Sequence, residues 1–210
     1  MSIECNVITI LEEPVVRKIN FRLPRTQGSP EVPVYGNGYR IIARGIRNRN
    51  ISIDYNIRAE RAGAGIYDSQ KQWIKLPTTN PSQSIPHKAL VIHEATHALL
   101  DYHRIPLRKS ISEAAAYIAQ AMYLKLKNAF DQLQFGNDPH FMDIMALAYQ
   151  ISDRILTTPG TYYVTSEELQ TLREAIRQAP IYREDLVVPY DGIASRGLSP
   201  RPNCSPPNGE

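Results

Sequence analysis

Apolar and polar positions alternate along parts of the first third of the chain, and the alternation predicts strands. In residues 51–58, ISIDYNIR, Ile51, Ile53, Tyr55 and Ile57 share one face. Ser52, Asp54, Asn56 and Arg58 take the other, the two-residue period of a half-buried antiparallel strand. Ile19, Phe21 and Leu23 repeat the pattern, and Tyr39–Ala43 is a fainter case. Pro30, Pro33, Gly36 and Gly38 punctuate the chain between these runs. Ile66–Tyr67 and Trp73–Leu76, on either side of the polar Asp68–Gln72, predict a short hairpin.

After Pro86 the period changes to that of helices. The run HKALVIHEATHALLDYHR holds neither Pro nor Gly, and Pro106 marks its end. A second helix is expected from about Ser110 to about Phe130. A third starts with Pro139 and carries Phe141, Ile144, Met145, Ala148, Ile151 and Ile155 at 3–4 spacing. A fourth has Thr165 as N-cap with Glu168 three residues on, a capping box, and stops before Pro180. Beyond Ile181 the pattern dissolves, and the last 14 residues hold four of the 16 prolines.

These elements describe an α+β fold. A small antiparallel or mixed N-terminal sheet with an edge strand packs on a central helix and a C-terminal helical half. The expected boundaries are one domain over residues 1–178 and a Pro-rich tail over 179–210, extended or disordered.

Composition narrows the function. With 210 residues, 42% of them apolar, the chain can bury a core of its own. No apolar run approaches the ~20 residues a membrane helix needs, so no membrane partner is expected. The net charge is +3, too small to single out nucleic acid, which is not expected as a partner. Residues 15–62 nevertheless carry ten Lys/Arg, among them Arg40, Arg44, Arg47 and Arg49, against three acids. Such a run can meet an anion or form the solvated face of strands. The first residues lack the basic and apolar regions of a signal peptide. Cys5 and Cys204, at opposite ends, make no disulfide scaffold. A reducing cytoplasm is therefore the expected location, with a specialised export route left open.

Three of the five histidines fall within eleven residues. His93-Glu94-Ala95-Thr96-His97 is an H-E-x-x-H motif inside the first predicted helix. Residues four apart lie one turn apart on nearly the same face, so His93 and His97 can bind one metal ion. Glu94 between them is placed to take a proton from a metal-activated water. The bland reading is a buried helix whose imidazoles are satisfied by hydrogen bonds.

This segment resembles the zincin metallopeptidases over about residues 60–130. The resemblance implies a Zn2+ cofactor, a protein or peptide substrate, and Glu94 as general base. It also implies that the substrate backbone adds to an edge strand ahead of the motif helix, for which Trp73–Leu76 is the matching candidate.

A catalytic zinc centre needs a third protein ligand. His103 has the metzincin spacing, but Leu100 stands where that subfamily has a glycine. Without the turn, the helix carries His103 ~9 Å further along its axis. Glu113 is the alternative. The run SEAAAYIAQ resembles the second helix of gluzincins, whose glutamate is a ligand, and its small alanines allow close packing against the motif helix. Glu113 also fits a capping box with Ser110. Many gluzincins place an Asp four residues after that glutamate to orient a ligating histidine; here the position is Tyr117, and Asp101 is a candidate for the role. His140, Tyr149, Tyr162 and Tyr163 are candidate donors to a developing oxyanion. The alternatives to a zinc metallopeptidase are a zinc-containing, non-catalytic binding or regulatory module and an anion binder using the arginine run. Nothing in the sequence addresses oligomeric state.

Overall fold

The computed structural model describes residues 1–26, 29–56, 65–133, 139–182, 184–197 and 204. It is an α+β fold with small sheets and a mainly helical C-terminal half.

The N-terminal third is less β-rich than its alternation suggests. Ser2 accepts a hydrogen bond from the Cys5 amide and opens α1 (Ile3–Leu11), which buries Val7, Ile8, Ile10 and Leu11. Tyr39–Ala43, expected as a strand, lies within α2 (Gly36–Arg47). Tyr39, Ile42, Ala43 and Ile46 are buried, while Arg40 and Arg44 are exposed. Over twelve residues this is helical spacing, which a five-residue window also reads as alternation. Gly38 lets α2 lie flat on its neighbour: a Cβ there would come within 2.7 Å of the Leu99 side chain.

The strand signal at Ile19, Phe21 and Leu23 is real, and all three are fully buried. β1 (Asn20–Leu23) pairs antiparallel with β2 (Val32–Tyr35), Phe21 opposite Val34. A second sheet has the order β3 (Ser52–Tyr55), β5 (Trp73–Leu76), β4 (Ile66–Asp68). The expected hairpin is the antiparallel β4–β5 pair. β3 pairs with β5 in parallel, so Trp73–Leu76 is the central strand and cannot be the edge. The edges of this sheet are β3 and β4. That swap has a physical source: a parallel partner is supplied by a distant crossover, which local alternation does not encode. Ile51 and Ile53 are buried as the alternation requires, whereas Tyr55 is exposed at the strand end. Ile57 and Arg58 lie outside the described residues.

The helical half follows the sequence closely. α3 (Ile85–Tyr102) has Ser84 as N-cap and Pro86 in its first turn. α4 (Lys109–Leu126), α5 (Pro139–Thr157) and α6 (Ser166–Gln178) follow, and the Thr165–Glu168 capping box makes both its hydrogen bonds, 3.1 and 2.8 Å. α4 packs against α3, α5 and α6, and every residue from Ser110 to Leu124 is buried. A helix apolar on all sides belongs at the centre. The polar residues it carries there, Ser112, Glu113 and Gln120, must therefore find partners inside the protein. No helix among the described residues is long and apolar enough to cross a membrane.

Residues 184–197 lie outside any helix and pack back onto the protein. Asp185 accepts from the Ser110 amide (2.8 Å) and hydroxyl (3.0 Å). β7 (Val187–Val188) pairs antiparallel with β6 (Leu107–Arg108). Tyr190 is buried, the Gly192 amide donates to Asp101 (2.9 Å), and the Arg196 guanidinium donates to Ser52 and the Lys71 carbonyl.

Cys204 is disulfide-bonded to Cys5 on α1, across a sequence separation of 199. The expectation of a reducing compartment rested on the missing signal peptide and on two cysteines held apart; the disulfide removes the second ground, since disulfides persist mainly where conditions are oxidising. Closing so long a loop restricts the unfolded chain by about 5 kcal/mol in the chain-entropy picture. For a chain of this size that corresponds to a melting temperature lower by ~10–20 °C after reduction. Thermal unfolding with and without a thiol reductant checks this, with Cys5→Ser as the control that should no longer respond. Equal melting of oxidised and reduced protein contradicts it.

Candidate metal centre

Each ligand position follows from helix geometry. On α3, His93 and His97 are one turn apart, and their Nε2 atoms approach to 3.3 Å. Thr96 points the other way, its hydroxyl 2.8 Å from Tyr39 Oη on α2, which leaves the histidine face turned toward α4. The small side chains of Ala114, Ala115 and Ala116 accompany the close packing of α4 on α3. Glu113 reaches across that contact, its Oε2 3.3 Å from His93 Nε2 and 3.6 Å from His97 Nε2.

The three ligand atoms lie within 4.8 Å of one another, and these side chains can hold a metal ion. The electrostatics fit a cation. Glu113 Oε2 is buried and makes no hydrogen bond, although a carboxylate oxygen in such a place ordinarily costs stability. Burial alone raises the Glu113 pKa, but the imidazoles of His97 and His93 outweigh it and hold the carboxyl well below its usual range.

The Nδ1 atoms are engaged on the far side. His93 Nδ1 is 3.0 Å from Gln120 Oε1, and His97 Nδ1 is 2.8 Å from Ser112 Oγ. An amide oxygen only accepts, so His93 carries its proton on Nδ1 and presents an Nε2 lone pair to the centre. Asp101 does not take this role. It accepts from Tyr67 Oη (2.6 Å) and the Gly192 amide, and so ties the edge strand and the C-terminal segment to α3. Tyr117 packs its ring edge-on against His93, with centroids 4.7 Å apart.

His103 is not brought to the centre. α3 continues through Leu100 to Tyr102, and His103 ends it with Nε2 2.8 Å from Tyr35 Oη. The capping box at Glu113 does not form either: α4 starts at Lys109, and Ser110 lies within it, bonded to Asp185. Glu113 is left free for the centre.

Glu94 lies beside the three ligands and is fully buried. Burial pushes its carboxyl up to about 7; the negative Glu113 adds to this, while His93 and the Tyr67 backbone amide oppose it. β4 passes directly over it: a Cβ on Gly65 would come within 2.6 Å of Glu94 Oε1, so only glycine permits this approach.

A groove runs through the centre. One cavity, about 540 Å³, is lined by His87, Leu90, Tyr117, Leu133 and Phe141. Another, about 500 Å³, lies between Ile66 and Tyr67 of β4 and Val188 and Tyr190 of the C-terminal segment. They share Gly65, His93, Glu94 and Tyr182. The chain matches no family model, no curated protein and no solved structure.

None of His140, Tyr149, Tyr162 and Tyr163 lines either cavity. Tyr149 stacks on Phe130, and Tyr163 is exposed. Of the tyrosines that line these cavities, Tyr182 is shared by both, and its Oη is 2.9 Å from Tyr117 Oη. Sequence reasoning missed Tyr182 and Tyr190 because neither sits in a periodic segment. Ser112 and Gln120 did carry a signal, as polar positions on an otherwise apolar helix. The arginine run is divided: Arg47 forms an ion pair with Glu12 (2.6 Å), while Arg40 and Arg44 face solvent on α2.

Proposed function

We propose that the protein is a zinc-dependent metallopeptidase of the zincin type, gluzincin-like in its third ligand, which hydrolyses peptide bonds with Glu94 as general base. The observation that carries this reading is the convergence of His93, His97 and Glu113 on one point, with Glu94 beside them facing a groove. Two imidazoles and one carboxylate form the donor set of a catalytic zinc with one open position. The same set suits ferrous iron. The adjacent buried carboxyl at Glu94 favours hydrolysis, because it supplies the proton acceptor that a water nucleophile needs.

When bound, zinc supplies Lewis acidity, lowering the pKa of water and polarising a carbonyl. Glu94 takes the proton from the attacking water and passes it to the leaving amine. The edge strand β4, beside Glu94, offers main-chain partners to an extended polypeptide. Tyr182 offers an O–H donor from the wall that both halves of the groove share. A closed, four-ligand, non-catalytic centre would require His103 as well, and that side chain is bonded to Tyr35.

The test is metal analysis of the purified protein together with cleavage of an unfolded polypeptide such as reduced casein. About one zinc per chain is expected, with cleavage that stops on chelation and returns on adding zinc. A metal-free protein, or cleavage indifferent to chelation, overturns the reading.

A further inference from the structure

The imidazoles of the centre are supported in unequal ways. His93 rests on Gln120, an amide on the same helix as Glu113, whose acceptor oxygen is held by its own planar group. His97 rests on Ser112, a short hydroxyl that by itself rotates freely. The C-terminal segment supplies what Ser112 lacks. Tyr190 Oη lies 2.6 Å from Ser112 Oγ and 3.3 Å from His97 Nδ1, closing a triangle of three buried polar groups. We propose that Tyr190 is a positioning residue of the metal centre, fixing the Ser112 hydroxyl and through it the orientation of His97. This rests on the metal-centre reading above and adds to it a dependence on residues 78 positions away from Ser112.

The segment is built to hold that phenol still. Two residues before Tyr190, Val188 pairs with Leu107, and further back Asp185 binds Ser110 and sits 3.6 Å from the Arg173 guanidinium. Two residues after it, the Gly192 amide is bound by Asp101, one turn beyond His97 on α3. Tyr190 is thus fastened on both sides to the two helices whose side chains form the centre. Burial also raises its pKa, so it remains a neutral O–H. Both Nδ1 atoms face uncharged groups: Gln120, Ser112 and Tyr190. What they supply is direction, and the negative charge against both imidazoles comes from Glu113.

The experiment compares wild type, Tyr190→Phe, Ser112→Ala and the double variant. Zinc affinity is read by competition with a chromophoric chelator, geometry from the visible spectrum of the cobalt(II)-loaded protein, and stability from melting of the metal-free protein. Tyr190→Phe keeps the ring and removes only the hydroxyl. It is expected to weaken zinc binding about tenfold, the low end of the effect of an outer-shell partner. It should also shift the cobalt bands and leave metal-free melting nearly unchanged. In the Ser112→Ala background its loss should not simply add, because the phenol meets His97 Nδ1 directly at 3.3 Å as well as through Ser112; that comparison holds even if one variant melts lower. Unchanged affinity and spectrum in Tyr190→Phe, or losses that add fully in the double variant, overturn the role of Tyr190 while the metal centre stands. A wild type that binds no zinc overturns both.

Discussion

Glu94→Gln is expected to slow peptide hydrolysis by ~10²–10⁴-fold, the usual contribution of a positioned general base, while zinc content stays near one per chain. The substitution preserves length and shape and removes only the ability to accept a proton. Glu94 is not among the three converging ligand atoms, so the metal should remain. The same variant carries a stability signature of opposite sign. In the metal-free protein the Glu94 carboxyl is raised from 4.5 to about 7. Below about pH 4.5 both folded and unfolded states hold the proton, and the group has no effect. Between there and neutrality the unfolded chain releases it while the folded protein retains it. Stability therefore falls as pH rises through this window, by about 3 kcal/mol in all at 1.36 kcal/mol per unit. Metal-free Glu94→Gln should consequently melt ~6–12 °C above metal-free wild type at pH 8 and together with it at pH 4. Wild-type rates in the variant would remove Glu94 from the mechanism, and a variant that melts lower than wild type at pH 8 would contradict the buried carboxyl.

The second large effect separates the two candidate third ligands. Glu113→Ala should lose zinc far more severely than the ~10–100-fold that follows loss of an outer-shell partner, because two imidazoles alone leave the ion half-coordinated. His103→Ala should retain zinc at wild-type affinity, losing only its bond to Tyr35. Equilibrium dialysis of both variants at a fixed free zinc concentration makes the comparison. Retention in Glu113→Ala with loss in His103→Ala would reverse the assignment and with it the subfamily resemblance.

The contrast between those residues also shows what a sequence can express. His93, Glu94 and His97 are legible because their geometry is local: helical spacing alone places them together. Glu113 is legible at one remove, through the small residues that let its helix come close. His103 could be set aside for the same kind of reason, since Leu100 gives the chain no licence to turn. Tyr39–Ala43 was misread because five residues cannot distinguish a period of 2 from one of 3.6. The edge expected at Trp73–Leu76 lies elsewhere because β3 arrives beside that strand from a distant part of the chain. Tyr182, Tyr190 and the pairing of Cys5 with Cys204 involve segments without periodicity, whose places are set by what they meet in the folded protein.

The link between Cys5 and Cys204 makes the backbone between them a covalent ring. A single peptide-bond cut anywhere along that ring opens it without dividing the molecule. A preparation nicked once, by an added protease or by its own activity, therefore keeps the mass of the intact chain plus one water under non-reducing conditions. It separates into two fragments only after a thiol is added, so self-cleavage of this protein is visible on a reducing gel and hidden on a non-reducing one.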